Sequence, residues 1–87
     1  IKKEFFYNLN SLYKLDLSNN LIKRLEENAF FYLENLQILR LMNNQIKFIR
    51  PNAFSNLKNL NQLDLSYNKI EDVRSFYFND LNLLDLL

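Results

Sequence analysis

The stretch LYKLDLSNNLIKRL, residues 12–25, decides how this chain is read. Its apolar residues stand at Leu12, Leu15, Leu17, Ile22 and Leu25, with Leu21 beside them and Asn19–Asn20 in their midst. The intervals are +3, +2, +5 and +3. Neither the 3.6 period of a helix nor the 2.0 period of a strand survives more than one step. Whatever folds here needs leucines at uneven intervals and an asparagine on the apolar side.

A shift of 24 residues lays the chain on itself. Leu12, Leu15, Leu17, Asn20, Ile22, Leu25, Phe30 and Leu33 return as Leu36, Leu39, Leu41, Asn44, Ile46, Ile49, Phe54 and Leu57. They return again as Leu60, Leu63, Leu65, Asn68, Ile70, Val73, Phe78 and Leu81. Ile1, Phe6 and Leu9 fill the same slots ahead of them, and Leu84 and Leu87 open another unit. The chain therefore divides into a partial repeat 1–11, full repeats 12–35, 36–59 and 60–83, and the start of the next at 84–87.

The unit LxxLxLxxNxLxxLxxxxFxxLxx resembles the leucine-rich repeat, and its length and Phe slot resemble the typical 24-residue subclass. The resemblance spans all 87 residues. It implies an α/β solenoid: a segment of right-handed horseshoe, with a short parallel β-ladder on the concave face and mostly irregular or 3-10 return arms. Physical chemistry accounts for the spacing. One such coil cannot bury its apolar side alone, so coils stack and share a core. In LxxLxL the last two leucines point inward around an outward residue, and neighbouring coils pair roughly 4.8 Å apart. Where the chain leaves the strand, backbone polar groups face the interior, and each one left unpaired costs about 1–3 kcal/mol. An Asn amide donates and accepts at once, so Asn20, Asn44 and Asn68 are expected to bond the backbone of their own and adjacent coils. Phe6, Phe30, Phe54 and Phe78 are expected to stack as a spine along the outer wall. Phe31, Tyr32, Phe48 and Phe76 are expected to pack into that wall between coils, or else to mark a lateral contact.

Composition excludes several classes of chemistry. Gly, Cys and His are absent, and no Thr occurs. Ser–His and thiol chemistry, the usual zinc and haem ligand sets and glycine-rich phosphate loops are therefore missing, and no cofactor is expected. Eleven basic against ten acidic residues give a net charge of +1, too balanced to point to nucleic acid or an anionic membrane. No apolar run is long enough to span a bilayer. Because the pattern is already running at Ile1 and still running at Leu87, the chain is expected to be a piece of a longer protein. Both ends offer Leu and Phe slots, so marginal stability or self-association of the isolated segment is expected.

Leucine-rich repeats most often bind on the concave strand face, and the resemblance implies a protein ligand there. The outward candidates are Tyr13, Lys14 and Asp16 in the first full coil, Ile38, Arg40 and Met42 in the second, and Gln62, Asp64 and Tyr67 in the third. Down the central column run Asp16, Arg40 and Asp64. This column reads either as a surface ladder of ion pairs, worth little in water, or as a place where Arg40, with Tyr13, Tyr67, Ile38 and Met42 nearby, anchors a ligand. Asp16 and Asp64, two coils apart, approach the separation of an inverting glycosidase pair. Arg40 between them would hold both ionised, and leucines fill the space beneath, so no enzymatic activity is expected.

The segment Ile46–Leu65 is similar to ectodomains of Toll-like receptors and Slit-type secreted proteins. That resemblance implies a cell-surface receptor or extracellular adhesion protein, with an intracellular scaffold or adaptor as the alternative. Four strands of roughly 16 Å present a face of about 300 Å², against the roughly 800 Å² per partner that a stable interface needs. The segment is sized for part of a binding site.

Overall fold

A computed structural model describes residues 1–71 and the backbone of 85–86. After a 3-10 turn at Lys3–Phe6, six short strands follow: β1 (Lys14–Asp16), β2 (Arg24–Leu25), β3 (Ile38–Arg40), β4 (Phe48–Ile49), β5 (Gln62–Asp64) and β6 (Asp85–Leu86). Strands β1, β3, β5 and β6 form one parallel sheet in that order. Leu15 pairs with Leu39 and Leu39 with Leu63, so successive coils are in register at 24 residues. No α-helix occurs among the described residues.

The last rung differs from the repeat. Leu63 pairs with Leu86, and Gln62 with Asp85. The step here is 23 residues, whereas the strict period places Leu87 opposite Leu63. The sequence NLLDLL, residues 82–87, offers leucines at the required spacing in two adjacent frames. A one-residue slip exchanges the faces of a strand, and a leucine stands ready in either frame. Leu84 and Leu87 lie outside the described residues, as do Val73, Phe76, Phe78 and Leu81.

Between the strand sheet and the return arm lies the core. Leu25, Phe30, Leu33, Leu36, Leu39, Leu41, Ile46, Leu57 and Leu60 are wholly inaccessible. Leu12, Leu15, Leu17 and Ile22, in the first full coil, pack on this core but are only partly buried. Leu9 departs from its expected core slot and is exposed. Its counterpart Leu33 lies between two coils, whereas Leu9 is covered from one side only.

The strands continue into a corner that asparagine closes. Asn44 is the one buried polar residue among those described. Its Oδ1 accepts the N–H of Asn20 at 3.1 Å and of Ile22 at 3.2 Å. Its Nδ2 donates to the carbonyls of Leu17, Leu41 and Met42. Asn68 repeats the pattern, accepting the Ile46 N–H at 3.0 Å and donating to Leu41, Leu65 and Ser66. Asn20 donates only within its own coil, to Leu17 and Ser18. A second asparagine column, unforeseen from the sequence, ties the loops together. Asn35 donates to the Asn10 carbonyl at 2.6 Å and Asn59 to that of Glu34 at 2.9 Å.

Return arms run as a chain of i→i−3 turns. Ala29 N–H bonds Glu26, Phe31 bonds Asn28, Leu33 bonds Phe30 and Leu36 bonds Leu33. The next arm repeats these bonds 24 residues on, from Ala53 to Leu60. Phe6, Phe30 and Phe54 stack along them, with centroids 5.7 and 6.1 Å apart. Ahead of these turns β2 and β4 form a second, two-stranded parallel sheet, which the sequence reading left as irregular arm. The expectation that Phe31 and Phe48 pack into the wall is corrected: both are exposed. Leu25 and Ile49 already fill the inward positions of β2 and β4, and alternation turns Phe48 outward.

Such tight coils require left-handed residues, and the chain has no glycine. Asparagine takes that place: Asn8, Asn19, Asn28, Asn43, Asn52 and Asn56 all have φ between 56° and 70°. Its short polar side chain tolerates this region better than other non-glycine residues. These six asparagines therefore have a structural role. In the column Asn19–Asn43–Tyr67 the third member breaks the rule, because Tyr67 has φ 57°. A left-handed non-glycine residue costs roughly 1–2 kcal/mol. Tyr67→Asn is accordingly expected to stabilise the chain by about 1 kcal/mol, read as a higher urea midpoint. An unchanged or lower midpoint would show that Tyr67 is not strained.

Candidate ligand-binding face

The sheet β1–β3–β5 carries the proposed contact residues in rows. Its register aligns Lys14, Ile38 and Gln62 in one row and Asp16, Arg40 and Asp64 in another. Alternation along β3 turns Leu39 into the core and leaves Ile38 and Arg40 half-buried on the outer surface. Met42, just beyond the strand, is half-buried as well. Ile38 and Met42 thus flank Arg40 as partly covered side chains, not the fully exposed ones expected from the sequence. Their neighbours in adjacent coils shield them across the ladder.

Tyr13 and Tyr67 are largely exposed, at 61% and 77%. They do not gather around Arg40. Tyr13 precedes β1 in the first full coil, and Tyr67 follows β5 two coils later. Subtracting two repeats puts Tyr67 at the level of residue 19, six positions beyond Tyr13, or roughly 20 Å along an extended chain. The aromatic rings mark opposite corners of the face. The sequence reading grouped them because it treated each coil as a list without its diagonal.

The carboxylate row also differs from both expectations. Among the described residues the ion pairs are Arg24–Glu26 and Lys47–Glu71, and neither involves Asp16, Arg40 or Asp64. Asp16 Oδ1 accepts the Ser18 N–H at 3.0 Å, and Asp64 Oδ1 accepts the Ser66 N–H at 3.0 Å together with the Ser66 hydroxyl. Each aspartate is thereby turned along its own strand, away from the arginine in the next. Ser18 Oγ is buried without a partner. Rotation about its χ1 would give the bond that Ser66 already makes. The Ser18 main-chain N–H, more than the nearby charges of Arg40 and Lys14, holds the Asp16 carboxyl below its ordinary value. The charge of Arg40, to which the sequence points, contributes less to this lowering than the bond from the Ser18 N–H. Arg40 makes no ion pair among the described residues.

No group of acidic side chains among the described residues is arranged to hold a metal ion. No helix among them is long and apolar enough to cross a membrane. The family profile for the leucine rich repeat matches residues 1–46 and again 34–87. The chain belongs to the leucine-rich-repeat family. No curated protein matches it. Leucine-rich repeats build solenoids, generally mediate binding between proteins and are typically not enzymes. The ladder of leucines and asparagines described above is that solenoid in molecular detail.

Proposed function

We propose that this leucine-rich-repeat segment contributes part of the concave ligand-binding face of a cell-surface receptor or extracellular adhesion protein, similar to Toll-like or Slit-type ectodomains. In this reading the coils belong to a longer right-handed horseshoe, and the ligand is a protein. The observation that supports it is Arg40, which makes no ion pair within 4 Å of a described carboxylate and stands between half-buried Ile38 and Met42 in the middle of a continuous strand sheet. An arginine with apolar flanks suits a partner's carboxylate or main-chain carbonyls. Tyr13, Lys14 and Asp16 on one side and Gln62, Asp64 and Tyr67 on the other extend the contact.

Two measurements test the reading. Sequence on either side of this segment is expected to contain a leader, cysteine-bearing caps and an apolar stretch of about twenty residues. Flanking sequence without leader and caps would move the assignment to an intracellular scaffold. In the full-length protein, Arg40→Glu and Tyr67→Ser are each expected to weaken capture of the same ligand protein. Retention of that ligand by both variants would refute the strand face as its docking surface.

A further inference from the structure

The return-arm side carries a charge pattern that the strand face lacks. On the strand face Lys14 and Arg40 are balanced by Asp16 and Asp64. Among the described residues, five basic side chains stand around the β2–β4 sheet, Lys23, Arg24, Lys47, Arg50 and Lys69, against the carboxylates of Glu26 and Glu71. All five cations are exposed. Arg24, Lys47 and Arg50 line an open groove of about 470 Å³ together with Phe48, Ile49, Pro51 and the carboxylate of Glu71. A shallower depression of about 240 Å³, reaching Lys23, Gln45 and Lys69, adjoins it.

The register of β2 and β4 explains the groove. Arg24 pairs with Phe48 and Leu25 with Ile49, so the inward pair anchors the sheet and the outward pair faces solvent side by side. Phe48 is 52% exposed. The Lys47 ammonium lies 5.5 Å from the centre of its ring and 3.5 Å from Glu71. A carboxylate, a lysine and an aromatic ring thus already meet on this surface. Both ion pairs are solvent-exposed and correspondingly weak, so another carboxylate can replace either. Lys23, Arg50 and Lys69 have no ion-pair partner among the described residues.

We propose that this groove is a second docking surface, which takes an acidic peptide segment of a partner protein with an aromatic side chain set between its carboxylates. The excess of cations selects the acidic character. Phe48 and Pro51 select the apolar side chain, because a purely anionic polymer would leave these exposed apolar groups facing water. Burying such a side chain is worth about 1.5–3 kcal/mol. This surface lies on the arm side of the core and does not depend on the reading of the strand face.

The test is fluorescence anisotropy on the full chain at low salt, with a short labelled peptide of glutamates interrupted by two phenylalanines. A matched peptide with serine in place of phenylalanine and a heparin oligosaccharide serve as probes of charge alone. The phenylalanine peptide is expected to bind about tenfold more tightly than the serine peptide. Phe48→Ser is expected to remove most of that difference. The Arg24→Glu/Arg50→Glu double variant, which reverses two cations lining the groove, is expected to weaken both peptides by about tenfold or more. Lys58→Glu, an exposed charge reversal that does not line the groove, is expected to change affinity by less than about twofold. These side chains are exposed, and an unchanged circular dichroism spectrum confirms that each variant is folded. Failure of the phenylalanine peptide to bind overturns the proposal. So does equal binding of both peptides and heparin with no effect of Phe48→Ser, which would make the surface a general polyanion site.

Discussion

Asn44→Ala is expected to cost about 3 kcal/mol or more, the largest loss of any single polar substitution in the described chain. The substitution strands the N–H groups of Asn20 and Ile22 and removes one of the two donors from each of the carbonyls of Leu17, Leu41 and Met42. These groups lie at a corner that water reaches poorly, since Asn44 itself is 7% exposed. Each buried group without a partner costs about 1–3 kcal/mol. Asn20→Ala is the comparison. Asn20 bonds only carbonyls of its own coil at an exposed site, so its loss is expected to cost under about 1 kcal/mol. Asn44→Asp separates donation from acceptance: the carboxylate still accepts the two N–H groups but confronts three carbonyl oxygens. It is expected to be nearly as damaging as alanine at neutral pH. Urea titration followed by circular dichroism checks the ranking. Equal losses for Asn44→Ala and Asn20→Ala would mean that the asparagine corner does not hold neighbouring coils together.

Phe30→Ala is expected to destabilise the chain by about 3–5 kcal/mol. Its ring is fully buried and stacks on Phe6 on one side and Phe54 on the other. Removing it opens a cavity between two coils and ends the spine where it joins them. Phe30→Leu restores most of the volume without the ring stacking and is expected to cost about 1.5 kcal/mol. Phe48→Ala provides the contrast, since its ring stands in solvent, and a change within about 0.5 kcal/mol is expected. Thermal or urea unfolding of the three variants decides the point. A Phe30→Ala variant no weaker than Phe48→Ala would show that the spine adds nothing to coil stacking. A domain of this size has only about 5–15 kcal/mol of stability in all, so Phe30→Ala brings the chain close to unfolding at ambient temperature.

The repeat made much of this architecture readable from residues alone. Leu15, Leu39 and Leu63 recur at a fixed step, and a fixed step in a chain that must share its core permits only stacked coils in register. The asparagine at the corner was legible for the same reason. A polar residue that recurs on the apolar side must satisfy something, and Asn44 and Asn68 do so across coils. The left-handed asparagines were less legible, because backbone sign leaves no mark in hydrophobic periodicity. The absence of glycine was the available signal, and the recurrence of Asn19 with Asn43 and of Asn28 with Asn52 gave the positions.

The candidate face shows where sequence reading stops. The sequence determined which residues share a row, since rows follow from the period. Only the tertiary structure decided that Asp16 and Asp64 turn to their own serines instead of to Arg40, because that choice depends on local strand-end geometry within hydrogen-bond reach. It alone separated Tyr13 from Tyr67, because a diagonal across stacked coils does not exist in a linear chain. The exposure of Phe48 was decided by the pairing of two-residue strands, too short to leave a period of their own. The core of this protein was written in one dimension because every coil repeats it. Its surfaces depend on contacts between unlike residues of different coils, and those are fixed only when the coils are stacked.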